Sequence, residues 1–303
     1  SGTLRAVNKV SLSVDKGERL GLVGESGAGK SVLGFSIINL ISKPGYIDSG
    51  RVVFQGTDIS TYDDDQMRTI RGNRISMIFQ DPMMTLNPVL SIGVQMRETL
   101  QAHGNLSEAE ATAICLEKLQ KVYIPSPEKR LKQFPHEFSG GMRQRIVIAI
   151  ALLTNPGLII ADEPTTALDV TIQAEIMDLL LELCETEHMG LLLITHDLAV
   201  VSQVTQRIAV MYAGTIVELG STEEIIHMPQ HPYTQGLLGA LPQKAGGNRR
   251  LNQIQGVMPG LAKIPPGCPF SNRCALVEDR CLSERPTLDL KASGNQVACH
   301  RVD

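Results

Sequence analysis

Short apolar runs alternate with amphipathic segments along much of this chain. Residues 158–161 and 191–194 are continuously apolar, which is typical of strands buried in a parallel sheet. Residues 172–183 instead repeat apolar side chains at helical spacing, and this predicts an amphipathic helix between those two strands. The alternation predicts an α/β fold whose parallel sheet is covered by helices on both faces.

Further strands are predicted in the first eighty residues. Residues 6–14 alternate polar and apolar side chains, and residues 50–56 form a short run between turns, so each predicts a strand. Residues 19–23 predict a short buried strand, and residues 75–80 predict a central strand that ends in Gln80. These segments predict an N-terminal β region beside the parallel-sheet core.

The pattern becomes mostly helical from residue 84 to about residue 154, which predicts a helical insertion. Ser107 is the expected N-cap of one helix there, and another helix should begin near Ser139. A short helix is predicted at residues 231–238, beyond which proline is frequent and periodicity is lost.

We therefore predict two parts of unequal size. Residues 1–240 form the α/β domain with its insertion, and residues 241–303 form a small C-terminal region. The polar residues 244–250 look like a linker. The C-terminal region also holds a cluster of cysteines, at Cys268, Cys274, Cys281 and Cys299.

Composition excludes several classes of function. The chain has 303 residues and a net charge of −4, which argues against a nucleic-acid-binding surface as its main function. No apolar run approaches the roughly 18 residues of a membrane span, and no secretory signal is visible. In a chain without an export signal, the 6 cysteines are not expected to form structural disulfides.

Residues 24–31 read GESGAGKS, the spacing of a phosphate-binding loop between a strand and a helix. Its glycines let the backbone turn tightly, so that N–H groups face phosphate oxygens. Lys30 supplies a positive charge for the β- and γ-phosphates, and the Ser31 hydroxyl is a ligand for Mg²⁺. The predicted nucleotide contacts are Gly24, Glu25, Ser26, Gly27, Ala28, Gly29, Lys30 and Ser31.

Four polar residues fall at the carboxyl ends of predicted strands, where ligands bind to parallel sheets. They are Gln80, Asp162, Glu163 and His196. Their positions agree with a nucleotide site at that edge of the sheet.

With these motifs in view, the chain resembles the ATP-binding subunit of an ABC transporter. The match spans about residues 6–220: the loop at 24–31 resembles Walker A, Gln80 the Q-loop glutamine and His196 the switch histidine. Asp162 and Glu163 resemble the Walker B pair. Ser139, Gly140 and Gly141 open the signature motif, and residues 166–169 resemble the D-loop. The resemblance implies a P-loop NTPase ABC cassette with a RecA-like parallel-sheet core.

A narrower resemblance points to the dipeptide and oligopeptide import group. It rests on HPYT at 231–234 and LP at 241–242, and on PGL at 259–261, GCP at 267–269 and RC at 273–274. The implied function is an ATPase that couples ATP binding and hydrolysis to import of di- or oligopeptides, or of a related small solute.

The resemblance also assigns roles to the motif residues. Asp162 holds Mg²⁺ together with Ser31 and Gln80, and Glu163 polarises the attacking water as a general base. His196 donates to the γ-phosphate, and the position of Gln80 reports whether triphosphate is bound.

Two positions depart from the usual family pattern. Met142 follows the two signature glycines where glutamine is common, a change that the peptide-importer group tolerates. No aromatic residue precedes Phe35, although the family usually stacks adenine on one upstream of the loop. The resemblance therefore implies an adenine contact either upstream of residue 1 or replaced near Leu4 and Arg5.

In this family two cassettes pack head to tail, so that Ser139 and Gly141 of one chain cap the γ-phosphate bound by the other. The resemblance therefore implies a second ATPase subunit, identical or not, with two transmembrane permease subunits and an external solute-binding protein. It places the chain peripherally on the cytoplasmic face of the inner or plasma membrane. Two rival hypotheses for the function are a soluble ABC protein that acts in DNA repair or translation, and an ATPase governed by a redox-sensing cysteine group.

The clustered C-terminal cysteines allow several interpretations as a metal site. Four thiolates fit an iron–sulfur cluster or a tetrahedral zinc site, although the closely spaced pairs usual for zinc are absent. Comparable cysteines in dipeptide-importer ATPases are associated with a [4Fe–4S] cluster, which the resemblance therefore implies here, with Zn²⁺, free thiols and disulfides as alternatives. Cys115 and Cys184 lie in helical patterns and are expected to be buried spectators, whereas His300 is a possible substitute ligand.

Overall fold

The structure is a computed structural model, and it describes residues 3–166, 168–240 and 254–302. Its contacts divide the chain into two compact units. The first unit comprises the ranges 1–13, 19–35 and 193–303, and the second comprises 14–18 and 36–192. Among the described residues, no helix is both long and apolar enough to cross a bilayer.

The strands of the described residues are short, from two to seven residues. In chain order they are β1 Arg19–Val23, β2 Val53–Phe54, β3 Thr57–Asp58, β4 Ile75–Ile78, β5 Leu158–Asp162, β6 Gly190–Thr195, β7 Arg207–Tyr212, β8 Thr215–Ser221, β9 Asp289–Leu290 and β10 Gln296–Val297.

The α-helices range from a single turn to five turns. In chain order they are α1 Lys30–Ile37, α2 Asp64–Arg68, α3 Pro82–Thr85, α4 Ile92–Gln101, α5 Glu108–Lys121, α6 Pro127–Arg130, α7 Gly140–Ala151, α8 Val170–Glu187, α9 Leu198–Val204, α10 Thr222–His227, α11 Pro232–Gly239 and α12 Asp279–Ser283. Short 3₁₀ turns include Pro135–Glu137, Leu261–Lys263 and Ser271–Arg273.

The first unit is built around β1. This strand pairs in parallel with β7, and the end of β6 lies on its other side. β7 turns back into β8 through Ala213 and Gly214, which both have positive φ, as tight hairpins require. β8 then pairs antiparallel with β10, and β10 with β9, so the C-terminal segment extends this unit's sheet.

The second unit places β5 between β4 and the start of β6, with β4 and β5 parallel. Helix α5 packs against α4 and α7, and α7 also contacts α3, α8 and β4. The predicted N-cap is confirmed, since the Ser107 hydroxyl accepts the N–H group of Glu110, and the helix predicted to begin near Ser139 is capped in the same way by the Ser139 hydroxyl, which accepts the N–H group of Met142. These caps satisfy orphan donors at the start of α5 and α7.

Several strand predictions were wrong. The described residues 3–18 contain no strand, because Lys9 adopts φ +51° and interrupts the extended backbone. The predicted central strand ends at Ile78, and β5 is its one neighbour in the sheet order. The segment 50–56 contributes only β2, which pairs with the unpredicted β3.

The predicted parallel pairing is found between β1 and β7 and between β4 and β5, but the sheet also contains antiparallel pairs. β7 and β8 are joined by a hairpin, so they must run antiparallel, and β10 and β9 continue that pattern. The sheet is therefore mixed. The boundary after residue 240 stays a prediction, and the linker 244–250, the pair 241–242 and Ala167 of the D-loop lie outside the described residues.

Candidate functional site

The phosphate-binding loop joins β1 to α1 in the first unit, as its sequence predicts. Gly27 and Gly29 have φ of +82° and +101°, a conformation that side chains with a Cβ rarely adopt. A Cβ on Gly29 would also lie 2.6 Å from the carbonyl oxygen of Ala6. Glycine is thus required at this position on two independent grounds.

Lys30 is the first residue of α1 and is only 5% exposed. Its Nζ donates to the carbonyl oxygens of Gly24 at 2.8 Å and Glu25 at 3.1 Å, which holds the ammonium over the loop. Ser31 follows in the first turn of α1, where helix dipole and backbone N–H groups favour anions. The loop therefore combines a fixed positive charge with the N-terminal end of α1.

The rest of the loop is held by its own backbone. Ala28 is buried, and its N–H donates to the carbonyl of Glu25 at 3.1 Å. The N–H of Gly214 donates to the carbonyl of Ala28 at 2.8 Å, which ties the loop to the β7–β8 hairpin. Ser26 is exposed at the open side of the turn.

In the second unit, Asp162 ends β5 and is 4% exposed. The next residue, Glu163, adopts φ +46°, an unusual backbone conformation for a side chain of this kind. Its Oε2 accepts hydrogen bonds from Gln80 Nε2 at 3.2 Å and Thr166 Oγ1 at 2.9 Å. Two motif residues 83 positions apart in sequence are thereby brought into contact.

The signature residues begin α7 in the same unit. Ser139 is exposed, and Gly140 and Gly141 form the first helical turn. A Cβ on Gly141 would lie 2.8 Å from Cγ2 of Ile172, so α7 approaches the start of α8 closely. The positive end of α7 thus remains open to solvent beside a tightly packed turn.

His196 belongs to the first unit. It directly follows β6 and is exposed. The neighbouring Asp197 caps α9, because its carboxylate accepts from Ala199 at 2.8 Å and Val200 at 3.4 Å. The loop and His196 therefore lie in one unit, whereas Gln80, Asp162, Glu163 and the signature residues lie in the other.

The C-terminal cysteines surround one pocket in the first unit. Its lining includes all four of the clustered cysteines together with two histidines and an aromatic ring, namely Cys268, Cys274, Cys281, Cys299, His231, His300 and Phe270. The six cysteines of the chain all lie in described residues, and none forms a disulfide. No group of three or more His, Cys, Asp or Glu side chains in the described ranges has the spacing to hold a single metal ion.

The thiols of this pocket are electrostatically coupled. Burial, together with the nearby sulfurs of Cys281, Cys299 and Cys274, raises the pKa of the Cys268 thiol to about 11. Burial likewise raises the pKa of Cys274 and of Cys299. Backbone N–H groups of Leu276 and Arg301 donate to the sulfurs of Cys274 and Cys299, each at 3.4 Å. Two of the four clustered sulfurs thus accept a backbone hydrogen bond.

One part of the loop's environment was not predicted. The Glu25 carboxylate accepts from Arg273 Nη1 at 2.7 Å and from Nη2 at 3.0 Å, across 248 residues of sequence. The N–H of Glu25 also donates to the hydroxyl of Tyr233 at 2.9 Å. Tyr233 and Arg273 belong to the HPYT and RC segments, which were the only sequence signals for them.

Comparisons with known proteins bear on both ends of the chain. A family model described as ABC transporter matches residues 7–166, and one described as Oligopeptide/dipeptide transporter, C-terminal region, matches residues 217–281. The chain is 48% identical over 302 residues to the Dipeptide transport ATP-binding protein DppD of Escherichia coli (strain K12), covering 99% of this chain and 92% of that protein. It is also 48% identical over 305 residues to DppD of Bacillus subtilis (strain 168), covering 100% and 90%.

Solved structures resemble the cassette portion. The dimeric post-hydrolysis structure of the ATP-binding cassette MJ0796, bound to ADP and Pi, has a TM-score of 0.62 and 30% identity, covering 72% of this chain and 90% of that one. The structure of cbiO1 from Clostridium perfringens, part of the ABC transporter complex cbiONQ, has a TM-score of 0.65 and 27% identity, covering 74% and 84%.

Proposed function

Because the chain belongs to the ABC transporter family, in its dipeptide and oligopeptide group, we propose that it is the subunit that hydrolyses ATP to drive peptide import. The contact between Glu163 and Gln80 carries this proposal, since it joins two separate hydrolysis motifs at a strand end. A structural turn would have no need of a carboxylate held in a left-handed conformation.

The loop residues 24–31 bind the phosphates. The Gly27 and Gly29 turns aim backbone N–H groups inward, and the Lys30 ammonium neutralises charge on the β- and γ-phosphates. Mg²⁺, when bound, neutralises further phosphate charge, and the residue types that suit it are the Ser31 hydroxyl, Gln80 and Asp162.

Hydrolysis needs a group that orients and deprotonates water. Glu163 has this role, because its carboxylate directly follows β5 and is oriented by hydrogen bonds from Gln80 and Thr166. His196 is assigned to the γ-phosphate as a donor. Movement of Gln80 with the nucleotide state then passes the signal toward the permeases.

A complete site requires two chains. Ser139, Gly140 and Gly141 present an exposed helix N-terminus, which suits the γ-phosphate of ATP bound by a second cassette. The complex accordingly contains a second ATPase subunit, two permease subunits and an external binding protein, with this chain peripheral on the cytoplasmic face of the membrane. Nucleic acid has no place in it.

The isolated chain is expected to be a poor ATPase whose specific activity rises with protein concentration, because each site borrows donors from another chain. Steady-state phosphate release, measured over a wide range of protein concentration, tests this. Adding permeases and peptide-loaded binding protein should raise turnover further. A fast rate that is independent of concentration would contradict the shared site.

We further propose that Cys268, Cys274, Cys281 and Cys299 hold a [4Fe–4S] cluster. The support is their common pocket and the N–H donors to two sulfurs, a feature that tunes iron–sulfur centres. A zinc site usually takes closely spaced cysteine pairs, and the four cysteines lack that spacing. When bound, the cluster supplies iron–thiolate bonds that cross-link a segment poor in secondary structure.

Anaerobically purified protein should be brown, absorb broadly near ~400 nm and contain about four iron atoms per chain. Cys274→Ser should bleach this absorption and loosen the C-terminal segment. Cys184→Ser is the control, because Cys184 is a buried cysteine of α8 that does not line the pocket. Colourless protein with one zinc per chain would contradict the iron–sulfur assignment and favour a zinc site.

A further inference from the structure

We propose that Arg273 is a positioning residue for nucleotide binding, which acts by holding and neutralising Glu25 in the phosphate-binding loop. This inference rests on the proposed function, because it concerns ATP at the same loop. It assigns the C-terminal cysteine region a part in setting nucleotide affinity.

The guanidinium of Arg273 is fixed on several sides, and its side chain is 5% exposed. Its Nη1 and Nη2 donate to the two carboxylate oxygens of Glu25. This bidentate geometry fixes the orientation of the carboxylate and also neutralises its charge. Its Nε donates to the carbonyl of Gln255 at 2.9 Å, and Nη2 also reaches the carbonyl of Gly256 at 3.2 Å. Its Cζ lies 5.9 Å from the centroid of the Tyr212 ring. Such a clamp leaves the carboxylate little freedom.

Glu25 connects this clamp to the phosphate-binding groups. Its carbonyl oxygen accepts from Lys30 Nζ and from the N–H of Ala28, and its own N–H donates to the buried hydroxyl of Tyr233. A shift of Glu25 would therefore move the ammonium and the inward-facing N–H groups of the loop. Arg273 acts on bound phosphate through these bonds without touching it.

Charge gives the contact a second effect. Glu25 places a carboxylate inside a loop that binds a triphosphate anion, and its side chain is only 28% exposed. A carboxylate there repels phosphate unless a cation neutralises it, and weak solvent screening makes that repulsion stronger. Arg273 places a cation in direct contact with the Glu25 carboxylate.

The position of Arg273 is set by the cysteine region. Arg273 ends the turn Ser271–Arg273 and immediately precedes Cys274. Backbone hydrogen bonds connect this turn to the cysteines. The carbonyl oxygen of Cys268 accepts the N–H of Ser271, and the N–H of Cys268 donates to the carbonyl oxygen of Cys281. Phe270, next to the turn, packs its ring against Tyr233 at 5.4 Å between centroids. A change in the fold of this region would therefore move Arg273, and with it the Glu25 carboxylate of the phosphate-binding loop.

The test is the affinity of the full chain for a fluorescent Mg-ATP analogue, titrated together with iron content and thermal unfolding. Arg273→Gln should weaken binding about tenfold, the usual effect of losing a charged hydrogen-bond partner. Arg280→Gln is the matched control: Arg280 also precedes a cysteine, Cys281, and pairs with Glu284 at 2.8 Å, but both side chains are 59% exposed. It should leave affinity unchanged.

A second substitution separates positioning from damage to the cysteine region. In Glu25→Gln/Arg273→Gln the repelling carboxylate is gone, so affinity should return to within about twofold of Glu25→Gln alone. Arg273→Lys, which keeps the charge without the fork, should fall between wild type and Arg273→Gln. The inference about Arg273 would be overturned, and the proposed function left standing, by either of two results. One is wild-type affinity of the Arg273→Gln variant, and the other is a loss of affinity from Arg273→Gln that is as large in the Glu25→Gln background as in the wild type. A wild-type chain that does not bind the analogue would overturn the proposed function with it.

Discussion

Glu163→Gln is expected to slow ATP hydrolysis by at least ~100-fold while Mg-ATP affinity stays near wild type. Glutamine has the same shape and can still accept a hydrogen bond from Gln80 or Thr166, so the turn after β5 should persist. It cannot take a proton from water. Single-turnover hydrolysis in the assembled transporter measures the chemical step, and equilibrium titration measures binding.

The matched control for this variant is Glu182→Gln. Glu182 lies in α8 of the same unit, and its carboxylate accepts a hydrogen bond from the Tyr123 hydroxyl at 2.7 Å. The Glu182→Gln substitution should leave the rate of ATP hydrolysis unchanged. ATP trapped by Glu163→Gln should also favour the two-cassette complex in sedimentation. Near-normal turnover of Glu163→Gln would remove this residue from the mechanism.

Gly29→Ala should weaken Mg-ATP binding by about 100-fold or more, because the inward-facing N–H groups must move. The new Cβ would meet the carbonyl of Ala6 at 2.6 Å in a backbone conformation that alanine disfavours. The free energy of unfolding should fall by at least about 2 kcal/mol. Titration with a nucleotide analogue and denaturant unfolding measure the two effects.

Gly50→Ala controls for backbone strain. Gly50 has φ +106°, close to that of Gly29, but a Cβ there would meet no atom within 4 Å. This variant should lose about 1 kcal/mol of stability and none of its nucleotide affinity. Equal loss of affinity in both variants would mean that the geometry of the loop at Gly29 is not what binds phosphate.

Local signals in the sequence were enough for much of the fold. The apolar runs that became β1, β5 and β6 and the helices capped by Ser107 and Ser139 follow from short-range patterns. The absent strand at residues 6–14 shows the limit of such signals. Alternation fits any extended segment, whereas a strand also needs a partner, which only the tertiary structure supplies.

The candidate site divides in the same way. The loop spacing and the polar strand ends were readable because each motif is contiguous or follows a strand directly. The Glu25–Arg273 pair was not, since nothing local links residues 248 positions apart. The positive φ of Glu163 was equally hidden, because surrounding structure imposes it on a residue that does not favour it.

ATP-driven uptake of a labelled dipeptide into proteoliposomes tests the central claim most directly. The vesicles would carry this chain, its partner ATPase subunit and the permeases, with ATP on the cassette side and binding protein on the other. Peptide should accumulate above its external concentration only with hydrolysable ATP, and Glu163→Gln should abolish that accumulation. Uptake that proceeds equally without ATP, or equally with the Glu163→Gln chain, would contradict the account.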